Sequence, residues 1–382
     1  MRILMLHSRY QSGDASGENR VVQDEIHLLA ENGHQVSAWQ PSVNPQSGSE
    51  LIATGARTVW SRRAVAEVKD KIQAESPDVV HCHNLFPSLS PAVIRAARAQ
   101  RVPVVQTLHN YRLSCLPATF LRDGRVCEDC LGKVPWRGVV YACYRDSRPG
   151  SAALATSLTF HRALGSFRRV NLFLAVSRFV REKHIEAGLP ADRIRVKPNF
   201  AWSSPRREGP GEYFLYLGRL SKEKGVPTLI TAWKSELGRL LIVGDGPEAG
   251  LIRRASTEGI EFRGAVPFSQ VPSLLSRARA LVVPSICYEG APRAIIEAYS
   301  AGVPVLASDM GGLSEMVSDG SSGLILSPSD PSEWTTAMGR LRDDAESERM
   351  GKEAWRLWDR HYRPEVGLKD LEKAYESALQ TA

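Results

Sequence analysis

Short, continuously apolar runs alternate with helical stretches along most of this chain, and that alternation confines it to an open α/β architecture. Residues 2–7, 36–39, 78–83 and 103–108 are each built around a short apolar run and read as strands, the first of them as a buried strand of a parallel sheet. Parallel strands need a crossover between them, and the intervening segments have helical spacing. Val21, Val22, Ile26, Leu29 and Ala30 share one face within residues 20–31, and Asn32-Gly33 closes the helix. Further helices are predicted at 63–75 and 91–100, and further strands at 172–176 and 193–198. The first strand runs into a glycine- and serine-rich loop over residues 11–19, so strand, loop, helix and strand form a Rossmann-type unit with the loop at the strand's carboxyl end.

Residues 200–211 then shift toward Pro, Gly and Ser and read as a linker. A second series follows, with strands at 213–218, 240–243, 260–263, 281–284, 303–307 and 323–326. Its helices are predicted at 227–237, 249–258 and 271–276. At 382 residues the chain is long enough for two cores. The predicted fold class is therefore α/β, with two Rossmann-like domains, 1–200 and 201–361, facing each other across a cleft. A C-terminal helix at about 362–382 is expected to pack back on the first domain. Small-molecule chemistry belongs in such a cleft.

Residues 283–302, VPSICYEGAPRAIIEAYSAG, concentrate that chemistry. A strand stops at Pro284, a loop carries Glu289 and Gly290, and a helix begins near Pro292, where a missing N–H costs nothing. The amides of Gly290 and Ala291 then face outward at the positive end of a helix, a site for a phosphate or sugar oxygen. Glu297 lies in the second turn and leans back toward those amides. Against this stands a plainer reading: Arg293 and Glu297 are i, i+4 and could form a surface ion pair worth about 0.3–0.5 kcal/mol. Arg219 and Lys224, in Gly218-Arg-Leu-Ser-Lys-Glu-Lys-Gly225, follow the first strand of the same half and add two cations. Gly244-Asp-Gly-Pro247 follows the next strand. In the first half, His81, His83 and His109 gather at strand ends, where three histidines at one sheet edge suggest a site.

Net charge is +7 (pI about 9.1), with basic clusters at 57–71, 95–101 and 162–169. That balance favours anionic partners. No nucleic-acid motif accompanies the basic residues, whereas a peripheral contact with anionic membrane lipid or a solvated basic face would both use them. No run approaches the roughly 18 apolar residues of a membrane span, and the amino-terminal run is too short for a signal peptide, so the expected location is the cytoplasm.

Taken together these motifs resemble the retaining GT-B glycosyltransferases of glycosyltransferase family 4. The resemblance spans Gly17-Glu18-Asn19-Arg20 with Gly33-His34, His109, Ser177, Asn199, Gly218-Arg219 with Lys224-Gly225, Gly244 to Pro247, Glu289 to Glu297, and Gly311-Gly312. It implies transfer of a sugar from a nucleoside diphosphate sugar, with a UDP or GDP base, to an acceptor hydroxyl with retention of configuration. The catalytic set it implies is His109, Glu289, Arg219 and Lys224. Arg219 and Lys224 would hold the diphosphate, and Glu289 with the amides of Gly290, Ala291 and Pro292's helix start would hold the sugar. Glu297 would take the ribose hydroxyls, Gly17, Gly218 and Gly244 would border the donor, and His109 would lie against the sugar. No catalytic metal is implied, because Arg219 and Lys224 supply the positive charge. Two departures stand out: Ser16 precedes Gly17 where the family has paired glycines, and Phe200 follows Asn199 where glycine is usual. A nucleotide-sugar epimerase on the same fold and a non-catalytic nucleotide-sugar-binding protein are the alternative functions.

Four of the six cysteines, Cys115, Cys127, Cys130 and Cys143, fall in the insertion after His109. Cys127-Glu-Asp-Cys130 has zinc-knuckle spacing, and a reducing compartment disfavours disulfides. The expectation is a structural zinc site, the alternatives being free thiols or an oxidised pair.

Overall fold

The computed structural model describes residues 1–9, 16–43, 47–255 and 258–381, so most of the glycine- and serine-rich loop, residues 11–15, lies outside it. The chain divides into two compact units: 1–120, 127–197 and 368–382 form one, and 121–126 with 198–367 form the other.

In the first unit the strands β1 (Arg2–Leu6), β2 (Gln35–Trp39), β3 (Val79–Cys82) and β4 (Val104–Leu108) belong to one parallel sheet. After a small hairpin of β5 (Leu121–Arg122) and β6 (Arg125–Val126), that sheet is completed by β7 (Leu172–Ala175) and β8 (Ile194–Val196). Its order is β2-β1-β3-β4-β7-β8. Every residue of β3, β4 and β7 is buried, which is why those strands read as continuous apolar runs. The C-terminal helix Pro364–Gln380 lays Leu371, Ala374, Tyr375 and Ala378 against Ile3, Met5, Val79 and Val105 of this sheet. Each such aliphatic side chain contributes about 1.5–3 kcal/mol by leaving water.

The second unit holds β9 (Tyr213–Leu217), β10 (Leu240–Val243), β11 (Ile260–Gly264), β12 (Ala278–Val283), β13 (Val305–Ser308) and β14 (Gly323–Leu326). All pairings are parallel, in the order β11-β10-β9-β12-β13-β14. Successive residues of a strand face opposite sides. Accordingly Leu215, Leu241, Leu281 and Val305 pack with Ile295, Tyr299 and Trp358, while Phe214, Ile242, Val282 and Leu306 pack with Val226, Leu229 and Trp334.

Each strand order reverses at one point, and ligands of open parallel sheets bind outside the carboxyl ends of the strands there. The reversal lies between β9 and β12 in the second unit and between β1 and β3 in the first. The loops leaving those four strands carry Arg219 and Lys224, Glu289, Gly17, and His83.

Several elements differ from the sequence reading. Helices Gly48–Val59 and Arg148–Ala163 were not anticipated. The helix expected at 227–237 stops at Ala232, because Trp233 turns extended and buries its ring in the core. The presumptive linker is pinned to the second unit: Arg207 donates to the carbonyls of Pro210, Arg279 and Ser347, and Trp358 Nε1 donates to Ala201 O. Phe200 is buried beside Gly367, whose Cβ, if present, would come within 2.7 Å of the Phe200 ring.

Candidate functional site

In the second unit the helix Arg293–Ser300 follows β12 through the loop 284–292. Pro292 is its N-cap rather than its first helical residue, with extended backbone, and no side chain caps the free amides. An uncapped helix start leaves its first N–H groups for a ligand, although Pro292 has none and Ile295 N already donates to Pro292 O at 3.2 Å. Glu289 is nearly buried, and its Oε1 accepts from Lys224 Nζ at 2.6 Å and from Ser285 Oγ at 2.6 Å. Burial alone would lower the Lys224 pKa, but the Glu289 carboxylate outweighs it and the ammonium titrates above its ordinary range. Sequence reasoning placed Lys224 and Glu289 at one edge and gave no role to Ser285, which stands beside them in the run Pro284-Ser-Ile-Cys-Tyr-Glu289.

Glu297 accepts from Arg293 Nε at 2.9 Å, so the i, i+4 pair exists. It is not a surface pair: both residues are more than nine-tenths buried, and the Arg293 guanidinium lies 5.8 Å from the Phe268 ring centroid. Arg219 is exposed, and its carbonyl accepts from Tyr216 Oη at 2.7 Å, which fixes the start of the loop. Gly290 and Ala291 are half-buried, and Ala291 O accepts from Asn199 Nδ2 at 3.1 Å.

Close backbone approach explains the glycines of these loops. Gly225 has φ +66°, and a Cβ there would sit 1.8 Å from Pro284 O. A Cβ on Gly244 would meet Gly218 O at the same 1.8 Å. Gly311 pairs with Glu289 as an isolated bridge, and Gly312 N donates to Glu289 O at 2.8 Å. The loops after β9, β10, β12 and β13 thus touch backbone to backbone.

In the first unit a polar cluster lies beneath the carboxyl edge of the sheet. Gly17 opens the helix Gly17–Glu31, whose N-cap Ser16 Oγ accepts from Asn19 N. The helix also carries Glu25, fully buried, whose Oε1 accepts from buried Lys197. His81 lies 2.9 Å from Tyr375 Oη through Nδ1 and 2.8 Å from Thr107 Oγ1 through Nε2. His83 Nδ1 is 2.8 Å from His109 Nε2, with the rings stacked at 5.1 Å between centroids. Burial pushes His81 down to about 3, and Lys197 adds to the effect. Burial likewise holds His83 and His109 well below the ordinary histidine range, and neighbouring imidazoles reinforce it. All three are neutral at pH 7. Glu25 and Lys197 escaped the sequence reading, although a glutamate three residues after Val22 on an apolar helix face was a signal.

Among the described residues the zinc expectation finds no ligand set in the four cysteines. Cys115, Cys127, Cys130 and Cys143 form no disulfide among the described residues, and Cys115 is buried, its Sγ accepting from Phe120 N at 3.3 Å. Burial pushes the Cys115 thiol up to about 11. Among the described residues the one group of three metal-capable side chains with donor atoms within 4.8 Å is Glu25, His81 and His83. Both nitrogens of His81 already have hydroxyl partners, and Lys197 already supplies positive charge, so that group is a hydrogen-bonded network.

Two family profiles match the chain: Glycosyltransferase Family 4 over residues 15–201 and Glycosyl transferases group 1 over residues 211–344. A glycogen synthase of Mycobacterium tuberculosis (strain ATCC 25618 / H37Rv) is 36% identical over 391 aligned positions, covering 90% of this chain and 86% of that protein. An alpha-D-kanosaminyltransferase of Streptomyces kanamyceticus is 33% identical over 187 residues, 45% of this chain and about half (48%) of that protein's length. The solved structure of Anabaena Alr3699/HepE in complex with UDP and glucose shares the fold at a TM-score of 0.69 and 18% identity, over 99% of this chain and 100% of that one. With both halves of the sequence matched, the parallel-sheet units in place and a full-length relative at this identity, the chain belongs to glycosyltransferase family 4 and has the GT-B fold.

Proposed function

We propose that this protein transfers a glycosyl group from a nucleoside diphosphate sugar to an acceptor hydroxyl, with retention of anomeric configuration. The observation that carries the reading is the uncapped helix start at Pro292 beside the Lys224–Glu289–Ser285 cluster, at the strand-order reversal of the second unit. Arg219 and Lys224 bind the diphosphate and offset charge on the departing phosphate. Glu289 and the amides of Gly290 and Ala291 hold the sugar hydroxyls, Glu297 takes the ribose, and Gly17, Gly218 and Gly244 leave room for the donor. His109 contacts the sugar.

Glu289, held by an ammonium and a hydroxyl on one oxygen, is a poor nucleophile for a covalent sugar intermediate. Same-face attack fits better: the C1–O bond to phosphate breaks with its electron pair leaving on phosphate, the acceptor oxygen bonds C1, and the phosphate takes the acceptor proton. A solved structure that shares the fold holds UDP and glucose, which makes UDP sugars the first donors to test. A panel of UDP-glucose, UDP-N-acetylglucosamine and GDP-mannose should show thermal stabilisation by one member, about 2.7 kcal/mol at a hundred times its dissociation constant. Absence of stabilisation by any nucleotide sugar, or an inverted anomeric coupling in the product's NMR spectrum, would sink the reading.

A peripheral contact with an anionic bilayer is the second part of the proposal. A groove of about 750 Å³ in the first unit is lined by Arg57, Arg62, Arg63 and Arg95 together with Phe160 and Leu164. One turn before its edge, Ile52 is 78% exposed. Four guanidinium groups over an apolar floor suit lipid phosphates and acyl chains. Phosphatidylglycerol vesicles should therefore carry the protein in flotation, phosphatidylcholine vesicles should not, and R62E/R63E should abolish the difference. Flotation of that variant with phosphatidylglycerol vesicles to the same extent as the unaltered protein would remove the idea.

A further inference from the structure

The His83–His109 contact constrains which nitrogen of each ring bears a proton. Both rings are neutral, so the 2.8 Å approach of His83 Nδ1 to His109 Nε2 needs one N–H and one lone pair. Two arrangements satisfy it. In the first, His109 donates from Nε2, and His83 accepts on Nδ1 while keeping its own proton on Nε2. In the second, His83 donates from Nδ1 and turns a bare Nε2 lone pair outward.

What faces that nitrogen decides between them. His83 Nε2 lies 3.6 Å from Glu25 Oε2, and both atoms are buried with no hydrogen-bond partner among the described residues. A lone pair aimed at a carboxylate in a dry interior is repulsive, whereas an N–H aimed at it is attractive. Lys197, on the other oxygen of Glu25, supplies the counter-charge that a buried carboxylate needs. Only the first arrangement agrees with this surrounding, and it fixes His109 as well.

We propose that Glu25 is a positioning residue for His109: acting through His83, it keeps the His109 proton on Nε2 and leaves Nδ1 as a lone-pair acceptor for a sugar hydroxyl. This rests on the reading in which His109 contacts the sugar. The order of groups is Lys197 ammonium, Glu25 carboxylate, His83 imidazole, His109 imidazole, each fixing the next. An acceptor nitrogen accepts from a sugar hydroxyl, and once the proton moves to Nδ1 the ring can only donate to that hydroxyl oxygen, which reverses the direction of the bond. His81 stands aside, because both its nitrogens are taken by Tyr375 and Thr107.

The test needs no ligand in its first arm. A two-bond proton–nitrogen correlation spectrum of the ¹⁵N-histidine-labelled full chain, with His109 assigned by its loss in His109→Gln, should show the Nε2-protonated tautomer. In Glu25→Gln, whose amide can donate to His83 Nε2, the His109 signals should move toward the Nδ1-protonated form. With the nucleotide sugar that most stabilises the protein, kcat for diphosphate release should fall roughly 10- to 100-fold in that variant, with KM nearly unchanged. Because Glu25→Gln leaves Lys197 without its charge partner, Glu25→Gln/Lys197→Met serves as a second variant with the same expected tautomer shift. An Nδ1-protonated His109 in the unaltered protein overturns the proposal whatever the variants do. So does an unchanged His109 tautomer in folded Glu25→Gln, or one equivalent of metal bound at Glu25 and His83. Wild-type turnover in His109→Gln would instead overturn the sugar contact on which the role depends, and the tautomer result would still be readable.

Discussion

Arg219 and Glu297 carry formal charges of the same size and opposite sign, and their removal should be felt in different quantities. Arg219 is exposed and makes no side-chain ion pair among the described residues, so Arg219→Ala should leave the melting temperature alone. Its cost should fall on nucleotide affinity, about 1.5–3 kcal/mol for a charge-assisted bond to the diphosphate. Glu297→Gln should lose affinity by a similar amount and also stability, because the Arg293 guanidinium it neutralises is buried. Calorimetric titration with UDP beside thermal melts separates the two; unchanged UDP affinity in both variants would remove the donor assignment. Arg219, Lys224 and Glu289 were legible in the sequence because each follows a strand end in a glycine-marked loop. Glu25 and Lys197 were not, since a reading of apolar periodicity passes over a charge on the buried face, and only the fold brings residues 25 and 197 together.

Among elements, the loops of the second unit are held by contact of main chain with main chain. Gly225→Ala should therefore destabilise the protein by more than about 2 kcal/mol, combining a positive φ with a Cβ only 1.8 Å from Pro284 O. Gly17→Ala is the control: it opens a helix, has no atom within 4 Å of its would-be Cβ, and should melt like the unaltered protein. A Gly225→Ala melt within 2 °C of that control would show that the loops part easily. The central strands were easily read because they are buried on both faces, whereas the edge strands Gln35–Trp39 and Ile260–Gly264 are partly exposed. The helix Arg148–Ala163 was missed because Gly150 and its Ser, Thr and Ala residues give weak periodicity. Its Ser147 cap with Pro149 in the first turn was the available signal, as was Ser47 capping Glu50 N at the helix Gly48–Val59.

For the molecule as a whole, the buried histidines tie stability to pH. His81 takes a proton near 6.5 when unfolded but only near 3 when folded. Between those values the unfolded chain binds more protons, so stability is fully present above pH 6.5 and declines as the pH falls toward 3. His83, His109 and His184, also shifted down by burial, act in the same direction. Melting temperature should fall steadily from pH 7 to pH 4.5, and a flat profile over that range would contradict neutral burial. The two-sheet division could be read from alternation alone, whereas the partner of His81 could not, because Tyr375 lies 294 residues further along the chain. That return of the C-terminal helix to the first sheet has a consequence for biosynthesis. Tyr375, Leu371 and Ala378 follow the second unit in the chain, so the sheet of the first unit remains without one covering face until residues 198–367 have been translated. At about 5–20 residues per second that exposure lasts on the order of ten seconds or more, during which Ile3, Met5 and Val105 present an apolar sheet surface for a chaperone to shield.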